Sequence, residues 1–216
     1  GSCKYSVAST FSFHAIKHIT MGEGGCVTTN DKNIYKKIKS NRSHGMVREK
    51  SHFINKVAKN DLWYYEMQSL GWNYRASEIS CALGLSQLKR LDISLIKRRK
   101  IAEIYNKSFS KNKLIKIPDR VIDPCSHAWH LYSISINFDN IEIDKGKLMK
   151  YLANLGIGTQ VHYIPLFLQP FYKNYNITDY LGSMEYYKNT LSIPIYPNLK
   201  IKDVNYIINS INSLVK

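Results

Sequence analysis

The feature that most constrains the fold is the glycine-rich run "GEGG" at residues 22–25, close to the start of the chain. Glycine adopts positive φ and lets two backbone segments approach closely, so this run predicts a tight turn. Residues 7–13 alternate small and aromatic side chains before it, and residues 26–31 leave it and stop at Asn30-Asp31. Two short extended segments around such a turn are typical of a β-hairpin. Lys17 lies where the first strand should end.

The pattern after the hairpin predicts mainly helices. Residues 32–44 carry Ile34, Tyr35 and Ile38 at helical spacing. Residues 45–70 show no period, which predicts irregular structure with a surface or interface loop at residues 61–68. Ser77 is a residue type that caps helices, and its helix is expected to continue to Phe109. Two registers of apolar residues are predicted to face the core: Ile79, Ala82, Leu83, Leu88, Leu91 and Leu95, followed by Ile96, Ile101, Ile104 and Tyr105.

Two prolines mark a domain boundary. Pro118 and Pro124 exclude a helix from residues 116–127, so this segment is predicted to be a linker. The fold class is therefore predicted as α/β in two parts. Residues 1–117 are expected to be the C-terminal part of a truncated larger domain, and residues 118–216 a small α+β domain.

Alternation and helical spacing predict the elements of the small domain. Tyr132, Ile134, Ile136 and Phe138 should share one face of a strand. A helix is expected from Asp144 to a left-handed cap at Gly156. Residues 157–165 are predicted to form a strand, and residues 191–199 an extended return with prolines. Apolar residues at helical spacing define a last helix: Val204, Ile207, Ile208, Ile211 and Leu214.

Charge and cysteine content limit the class of protein. The formal net charge is +15, which favours either polyanionic partners or solvated basic faces, and no nucleic-acid motif accompanies it. The cysteines at positions 3, 26, 81 and 125 are far apart, as in reduced thiols of a cytoplasmic protein. No apolar run is long enough to span a bilayer. No Met opens the chain, and its N-terminus is expected to be a cut end.

Lys17 is a candidate reactive amine. A catalytic lysine must be held rigidly and be neutral part of the time, although its unperturbed pKa is about 10.4. Ser12 offers a hydroxyl for a phosphate oxygen, and the glycine turn admits a planar ligand. Together these groups suit pyridoxal 5'-phosphate, an aldehyde held by its phosphate. The alternative, in a lysine-rich chain, is a solvated amine beside an ordinary hairpin.

Ordered motifs along the chain resemble one enzyme family. The run "FSFHAIKHITMGEGG" resembles the cofactor-lysine segment of the DegT/StrS family of pyridoxal-phosphate sugar aminotransferases, with Met21 where Thr is common. Residues 63–92 resemble its Gly-aromatic-Asn-Tyr-Arg block and the helix that follows. Residues 156–172 resemble its His-Tyr segment, and residues 191–199 its late Ser-x-Pro stretch. Within the family, the chain most resembles the branch that makes UDP-4-amino-4,6-dideoxy-N-acetyl-β-L-altrosamine for pseudaminic acid synthesis.

The resemblance implies a fold-type I transferase and a set of site residues. Lys17 would bind the cofactor covalently and shuttle a proton, and Ser12 would bind its phosphate. Asn73 would reach that phosphate from the neighbouring subunit of a homodimer, with Arg75 as the competing residue. His162 and Tyr163 would contact the sugar nucleotide, although a structural histidine fits the same strand. The pairs His14/His18 and His127/His130 have metal-like spacing without a third ligand nearby, so no metal is predicted.

The implied reaction moves an amino group, with L-glutamate as the expected donor, to C4 of a UDP-linked 4-keto-6-deoxy amino sugar. Family members begin well before this chain does, and the missing part carries the partner of the cofactor's pyridine nitrogen. We therefore expect the chain alone to fold poorly and to be inactive, with a separately encoded N-terminal half as one explanation. The alternatives are another nucleotide-sugar aminotransferase, of the 4-amino-4,6-dideoxyglucosamine or perosamine type, a non-catalytic remnant of a split or decayed gene, and a basic nucleic-acid-binding module.

Overall fold

A computed structural model describes residues 1–55, 61–119, 127–172 and 180–216. The chain divides into two compact units, Gly1–Leu91 and Asp92–Lys216, which we call the N-terminal and the C-terminal unit. This division lies before the linker at which the sequence places the domain boundary, because the long helix after Leu91 buries its side chains in the C-terminal unit. The boundary at residues 117/118 stays a prediction for the complete protein.

The predicted hairpin opens the N-terminal unit. Strands β1 (Ser9–Ser12) and β2 (Gly25–Thr28) are antiparallel, and Ser12 is opposite Gly25. A Cβ atom at Gly25 would lie 2.6 Å from the carbonyl oxygen of Phe11, so the close pairing requires glycine there. Helix α1 (Lys32–Asn41) follows, and the Asp31 carboxylate caps it by accepting from the amides of Asn33 and Ile34.

The segment predicted to be irregular contains a short strand pair. Strands β3 (Met46–Val47) and β4 (Glu66–Met67) are antiparallel. The sequence pattern missed them because each strand has two residues, too few to show a period, and Glu66 of β4 is a buried carboxylate. Glu66 accepts hydrogen bonds from the amides of Ile54 at 2.7 Å and Asn55 at 2.8 Å. Burial opposes its charge, but these bonds and those from nearby side chains lower the pKa of Glu66.

Helix α2 (Glu78–Leu88) begins as predicted but does not bury the predicted stripe. The Ser77 hydroxyl accepts from the amide of Ser80, which confirms the cap. Ile79 and Leu83 are exposed, and Gly84 is the buried residue of the helix. The helix also ends before a second one, α3 (Leu91–Phe109), so the predicted continuous helix is wrong. In α3, Ile101 and Tyr105 are buried as predicted, whereas Ile96 is exposed; Phe109, at the end of the helix, is buried as well.

The C-terminal unit contains a three-stranded antiparallel sheet with helices packed around one apolar core. Its strands β5 (Ile115–Lys116), β6 (Tyr132–Ile136) and β7 (Thr190–Ile193) lie in the order β5-β6-β7. The alternation predicted for β6 is confirmed for Tyr132, Ile134 and Ile136, which are fully buried, whereas Phe138 lies beyond the end of the strand. The surrounding helices are α3, α4 (Lys145–Asn154), α5 (Leu181–Asn189) and α6 (Ile201–Leu214).

The helix predictions of this unit hold better than the strand predictions. Asp144 caps α4, Gly156 has φ +75° after it, and α6 buries four of its five predicted residues, Val204, Ile207, Ile208 and Ile211. In residues 157–165, however, Gln160 alone pairs, with Ser192, so the predicted strand is wrong there. Helix α5 was not predicted, and residues 120–126 of the linker lie outside the described part of the chain.

Within the described residues, no helix is long and apolar enough to cross a membrane. Cys3, Cys26 and Cys81 are free thiols, in agreement with the prediction, and Cys125 lies outside the described residues.

Candidate functional site

Lys17 lies in a turn that two backbone hydrogen bonds close. The amide of Lys17 donates to the His14 carbonyl at 2.9 Å, and the amide of Met21 donates to the Phe13 carbonyl at 2.8 Å. The Phe13 amide in turn donates to the Gly24 carbonyl at 2.8 Å, which ties the turn to the hairpin. The lysine side chain is half-buried. Hydrogen bonds within the turn and to the hairpin therefore hold the backbone on both sides of Lys17.

Ser12 is the last residue of β1 and is exposed at the base of the same turn. Its Oγ accepts weakly from the amide of His14, at 3.4 Å, and can still donate its own proton. His14 Nδ1 accepts from the Ile16 amide at 3.4 Å, so Nε2 carries the proton that faces Glu23, 3.5 Å away. Ser12 therefore lies at the end of the strand that leads into the turn of Lys17.

Met21 supports this turn from below, a role that the sequence pattern did not indicate. It is 8% exposed, and among the described residues of the N-terminal unit no other apolar side chain is buried. A Cβ atom at Gly84 of helix α2 would lie 2.7 Å from Met21 Cγ, and one at Gly24 would lie 3.1 Å from its Sδ. The thioether therefore fills the space that two glycines leave, and it packs the lysine turn on α2.

Asn73 and Arg75 lie on a segment that is paired with the end of helix α1. The Trp72 amide donates to the Asn41 carbonyl at 2.8 Å, and the Tyr74 amide donates to the Arg42 carbonyl at 2.9 Å. The side chains of Asn73 and Arg75 are exposed. With Arg42 they line an open cavity of about 660 Å³. Glu78 also lines the cavity, and the two arginines exceed this one carboxylate, so the net positive charge suits an anionic group.

A larger apolar groove lies on the neighbouring face of the N-terminal unit. It has a volume of about 1060 Å³ and is bounded by the hairpin, helix α1 and the aromatic pair of Trp72 and Tyr74. The two rings stack with centroids 5.6 Å apart. Phe11 and Tyr35 also expose their rings to this groove.

His162 and Tyr163 lie in the C-terminal unit. His162 Nδ1 is 2.8 Å from the Ser192 hydroxyl, and burial lowers the pKa of His162. The histidine lines a cavity of about 710 Å³. Tyr163 follows it with its side chain 70% exposed. The predicted site residues therefore form two groups, Ser12, Lys17, Asn73 and Arg75 in one unit and His162 and Tyr163 in the other.

Within the described residues, no group of three or more His, Cys, Asp or Glu side chains could hold a metal ion. His14 instead faces Glu23, and His127 Nδ1 accepts from the amide of Trp129 at 2.8 Å.

Sequence comparison decides the family. The model of the DegT/DnrJ/EryC1/StrS aminotransferase family matches residues 1–212. The chain belongs to this family. It is 39% identical over 212 residues to the UDP-4-amino-4,6-dideoxy-N-acetyl-β-L-altrosamine transaminase of Campylobacter jejuni, covering 96% of this chain and 52% of that one. The resemblance of the lysine, Asn-Tyr-Arg and His-Tyr motifs is thereby confirmed at the level of the family.

Solved structures of the family share the fold. Helicobacter pylori PseC, an aminotransferase involved in the biosynthesis of pseudaminic acid, superposes with a TM-score of 0.86 at 33% identity, covering 98% of this chain and 54% of its own. A sugar aminotransferase of Streptococcus pneumoniae, solved in its PMP form, also gives 0.86, at 26% identity and with 99% and 54% covered. The fold-type I prediction is confirmed, and the chain spans about half the length of these relatives.

Proposed function

We propose that this chain is the cofactor-lysine part of a pyridoxal-phosphate-dependent nucleotide-sugar aminotransferase. The reaction transfers an amino group, with L-glutamate as donor, to C4 of a UDP-linked 4-keto-6-deoxy amino sugar in pseudaminic acid type biosynthesis. The observation that carries this proposal is the closed turn at Lys17 in a chain of this family. The names of the Campylobacter and Helicobacter relatives support the choice of sugar.

The residues of the turn fit the cofactor. Pyridoxal phosphate needs an amine for its aldehyde and hydrogen-bond donors for its phosphate, and Lys17 and Ser12 supply both from one segment. Ser12 is exposed and keeps a free proton to donate. When bound, the cofactor supplies an electron sink that stabilises a carbanion next to the reacting nitrogen.

Lys17 is the group that binds the cofactor and then moves a proton in the reaction. A general base must be held at a fixed place, and the two hydrogen bonds at the ends of the turn hold the lysine backbone. Ser12 would donate to a phosphate oxygen. Asn73, with Arg75 beside it, would bind the phosphate of the neighbouring subunit of a homodimer, because both side chains are exposed on an anchored segment.

His162 and Tyr163 would contact the UDP-sugar. The net charge of +15 would draw the anionic substrate toward the protein from a distance. The free thiols of Cys3, Cys26 and Cys81 support a cytoplasmic location for this step.

We propose that activity also requires a polypeptide segment that corresponds to the part of the relatives not covered by this chain. The chain spans 52% of the Campylobacter transaminase, and the N-terminal unit exposes apolar side chains of its hairpin and α2. We therefore propose that these 216 residues alone do not transaminate. The remaining part belongs to the same polypeptide or to a separately encoded half.

The test uses the complete protein that contains this segment. It is incubated with L-glutamate, pyridoxal phosphate and the UDP-linked 4-keto sugar, and the product is identified by NMR. Lys17→Ala should abolish amino transfer, whereas Lys36→Ala on the exposed face of α1 should leave it unchanged. A product aminated on a different sugar would replace the sugar assignment. Full activity of Lys17→Ala would overturn the mechanism.

A further inference from the structure

Two serine hydroxyls connect His162 to the middle of the C-terminal sheet. Ser133 on β6 is opposite Ser192 on β7, and their Oγ atoms are 2.7 Å apart. Ser192 Oγ is also 2.8 Å from Nδ1 of His162. The three side chains form a continuous hydrogen-bonded line from the middle strand to the histidine at the sheet edge.

The backbone holds the histidine segment in the same register. The Gln160 amide donates to the Ser192 carbonyl at 3.1 Å, and the Ser192 amide donates to the Gln160 carbonyl at 2.9 Å. Ser192 is 5% exposed, so its hydroxyl is shielded from competing water. The contact with Nδ1 therefore belongs to a fixed part of the sheet and not to a mobile surface side chain.

Nε2 is the ring nitrogen left for a ligand. Ser192 occupies Nδ1, and within the described residues His162 makes no other hydrogen bond. His162 lines the cavity of about 710 Å³ together with Thr159, Gln160, Asp203 and Tyr206. The volume is of the size that small-molecule sites have.

The hydrogen-bonded hydroxyl groups of Ser133 and Ser192, which we call the hydroxyl line, favour one tautomer of His162. Burial lowers the pKa of His162, so the neutral ring with one donor and one acceptor nitrogen is favoured. An imidazole nitrogen is a stronger acceptor than a hydroxyl oxygen, so the protons order from Ser133 to Ser192 to Nδ1. This order leaves the ring proton on Nε2.

We propose that Ser192 and Ser133 are positioning residues that hold His162 in the Nε2–H tautomer and direct that N–H to an oxygen of a ligand in the cavity. The choice of ligand, a nucleotide sugar, rests on the proposed function. Its diphosphate and its hydroxyl groups both offer the acceptor oxygen that an Nε2–H requires.

The tautomer is measured directly in the full chain. Two-bond ¹H–¹⁵N correlation spectra of histidine-labelled protein distinguish the protonated from the unprotonated ring nitrogen, and the signals lost in His162→Asn assign the residue. We expect the wild type to carry the proton on Nε2. In Ser192→Ala the single tautomer should be lost and the His162 ring nitrogens should show averaged shifts. In Ser133→Ala the same shifts should change in the same direction but less.

Two further variants control for a general loss of structure. Ser135→Ala lies on the same face of β6 but outside the hydroxyl line, and it should leave the His162 signals unchanged. Ser192→Thr keeps a hydroxyl and should restore the wild-type tautomer. A wild-type proton on Nδ1, or unchanged His162 signals in Ser192→Ala, would overturn the positioning role.

The ligand is tested separately, with UDP and UDP-N-acetylglucosamine as probes. A shift of the His162 signals with both probes assigns the contact to the diphosphate, and a shift with the sugar nucleotide alone assigns it to the sugar. No shift with either probe would overturn the ligand assignment and weaken the proposed function. The tautomer result would then still decide the positioning role.

Discussion

The two compact units differ in how they keep apolar side chains from water. The C-terminal unit surrounds its sheet with helices and buries its large side chains, so that Tyr105, Tyr132 and Phe109 are fully enclosed. In the N-terminal unit the buried apolar side chain is Met21, while the hairpin and α2 expose Phe11, Ile79 and Leu85 among the described residues. The unit that carries Lys17 thus has the less complete core. The N-terminal unit should therefore depend more than the C-terminal unit on contacts with other polypeptide that would cover its exposed apolar side chains.

The largest expected effect on stability comes from making the same replacement, Ile→Ala, once in each unit. Ile134→Ala removes a fully buried side chain of β6 and should lower the free energy of unfolding by about 2–5 kcal/mol. Ile79→Ala removes a side chain that is 85% exposed and should change it by less than about 0.5 kcal/mol. Urea unfolding followed by circular dichroism measures both. Equal losses would mean that α2 is covered in solution, and the comparison would fail.

A somewhat smaller effect is expected at Arg98, which connects three parts of the C-terminal unit. From α3 its Nη1 donates to the carbonyls of Trp129 and Ile195, each at 2.9 Å, and burial lowers the pKa of Arg98. Arg98→Met leaves buried carbonyls without a donor and should cost about 1–3 kcal/mol. Lys97→Met, at the exposed neighbouring position, is the matched control. If both variants unfold at the same urea concentration, the buried guanidinium contributes no stability.

At the helix cap of the N-terminal unit the expected effect is smaller still. Ser77→Ala removes the acceptor for the Ser80 amide and should cost helix α2 about 1 kcal/mol. Ser86→Ala, in the exposed interior of the same helix, should not destabilise it. Hydrogen exchange of the α2 amides gives the readout. Faster exchange in both variants would show that the helix lacks a defined start.

The smallest effect is local and appears only in acid. The pKa of Glu66 is lowered in the folded chain, so its contribution to stability is complete above the unfolded value of about 4.3 and is lost as the pH falls through the folded value. The protection factors of the Ile54 and Asn55 amides, in which the pH dependence of intrinsic exchange is divided out, should therefore fall on acidification before those of the β6 amides.

Glu66→Gln is the control for that measurement. The amide side chain does not titrate in this range, so the loss of exchange protection at Ile54 and Asn55 on acidification should be absent from the variant. Persistence of this loss would assign it to a different carboxylate.

The same difference between the units explains what the sequence could predict. Spacing identified β6 and α6 because their apolar faces pack inside this chain, as Ile134 and Ile211 show. Spacing also predicted a buried stripe on α2, but nothing in the described residues covers Ile79. A periodic pattern tells which face is apolar and does not tell where the covering partner is.

Site residues followed a similar rule. Ser12 and Lys17 could be proposed as site residues because one short motif contains both, and they stay a prediction. The line from His162 through Ser192 to Ser133 was missed, because the register of two strands distant in sequence creates it. Serines on strands give no signal by themselves, and β3 and β4 were missed because two residues are too few to show a period.

The contact between Met21 and Gly84 restricts how this chain can change in evolution. A methyl group at position 84 would come within 2.7 Å of Met21 Cγ, while a shorter residue at position 21 would leave a hole beneath the lysine turn. Each replacement is therefore harmful in the background of the other wild-type residue and compensated when both occur. The two positions form an epistatic pair, so an exchange toward the family's common threonine at position 21 should be accompanied by a larger side chain at position 84.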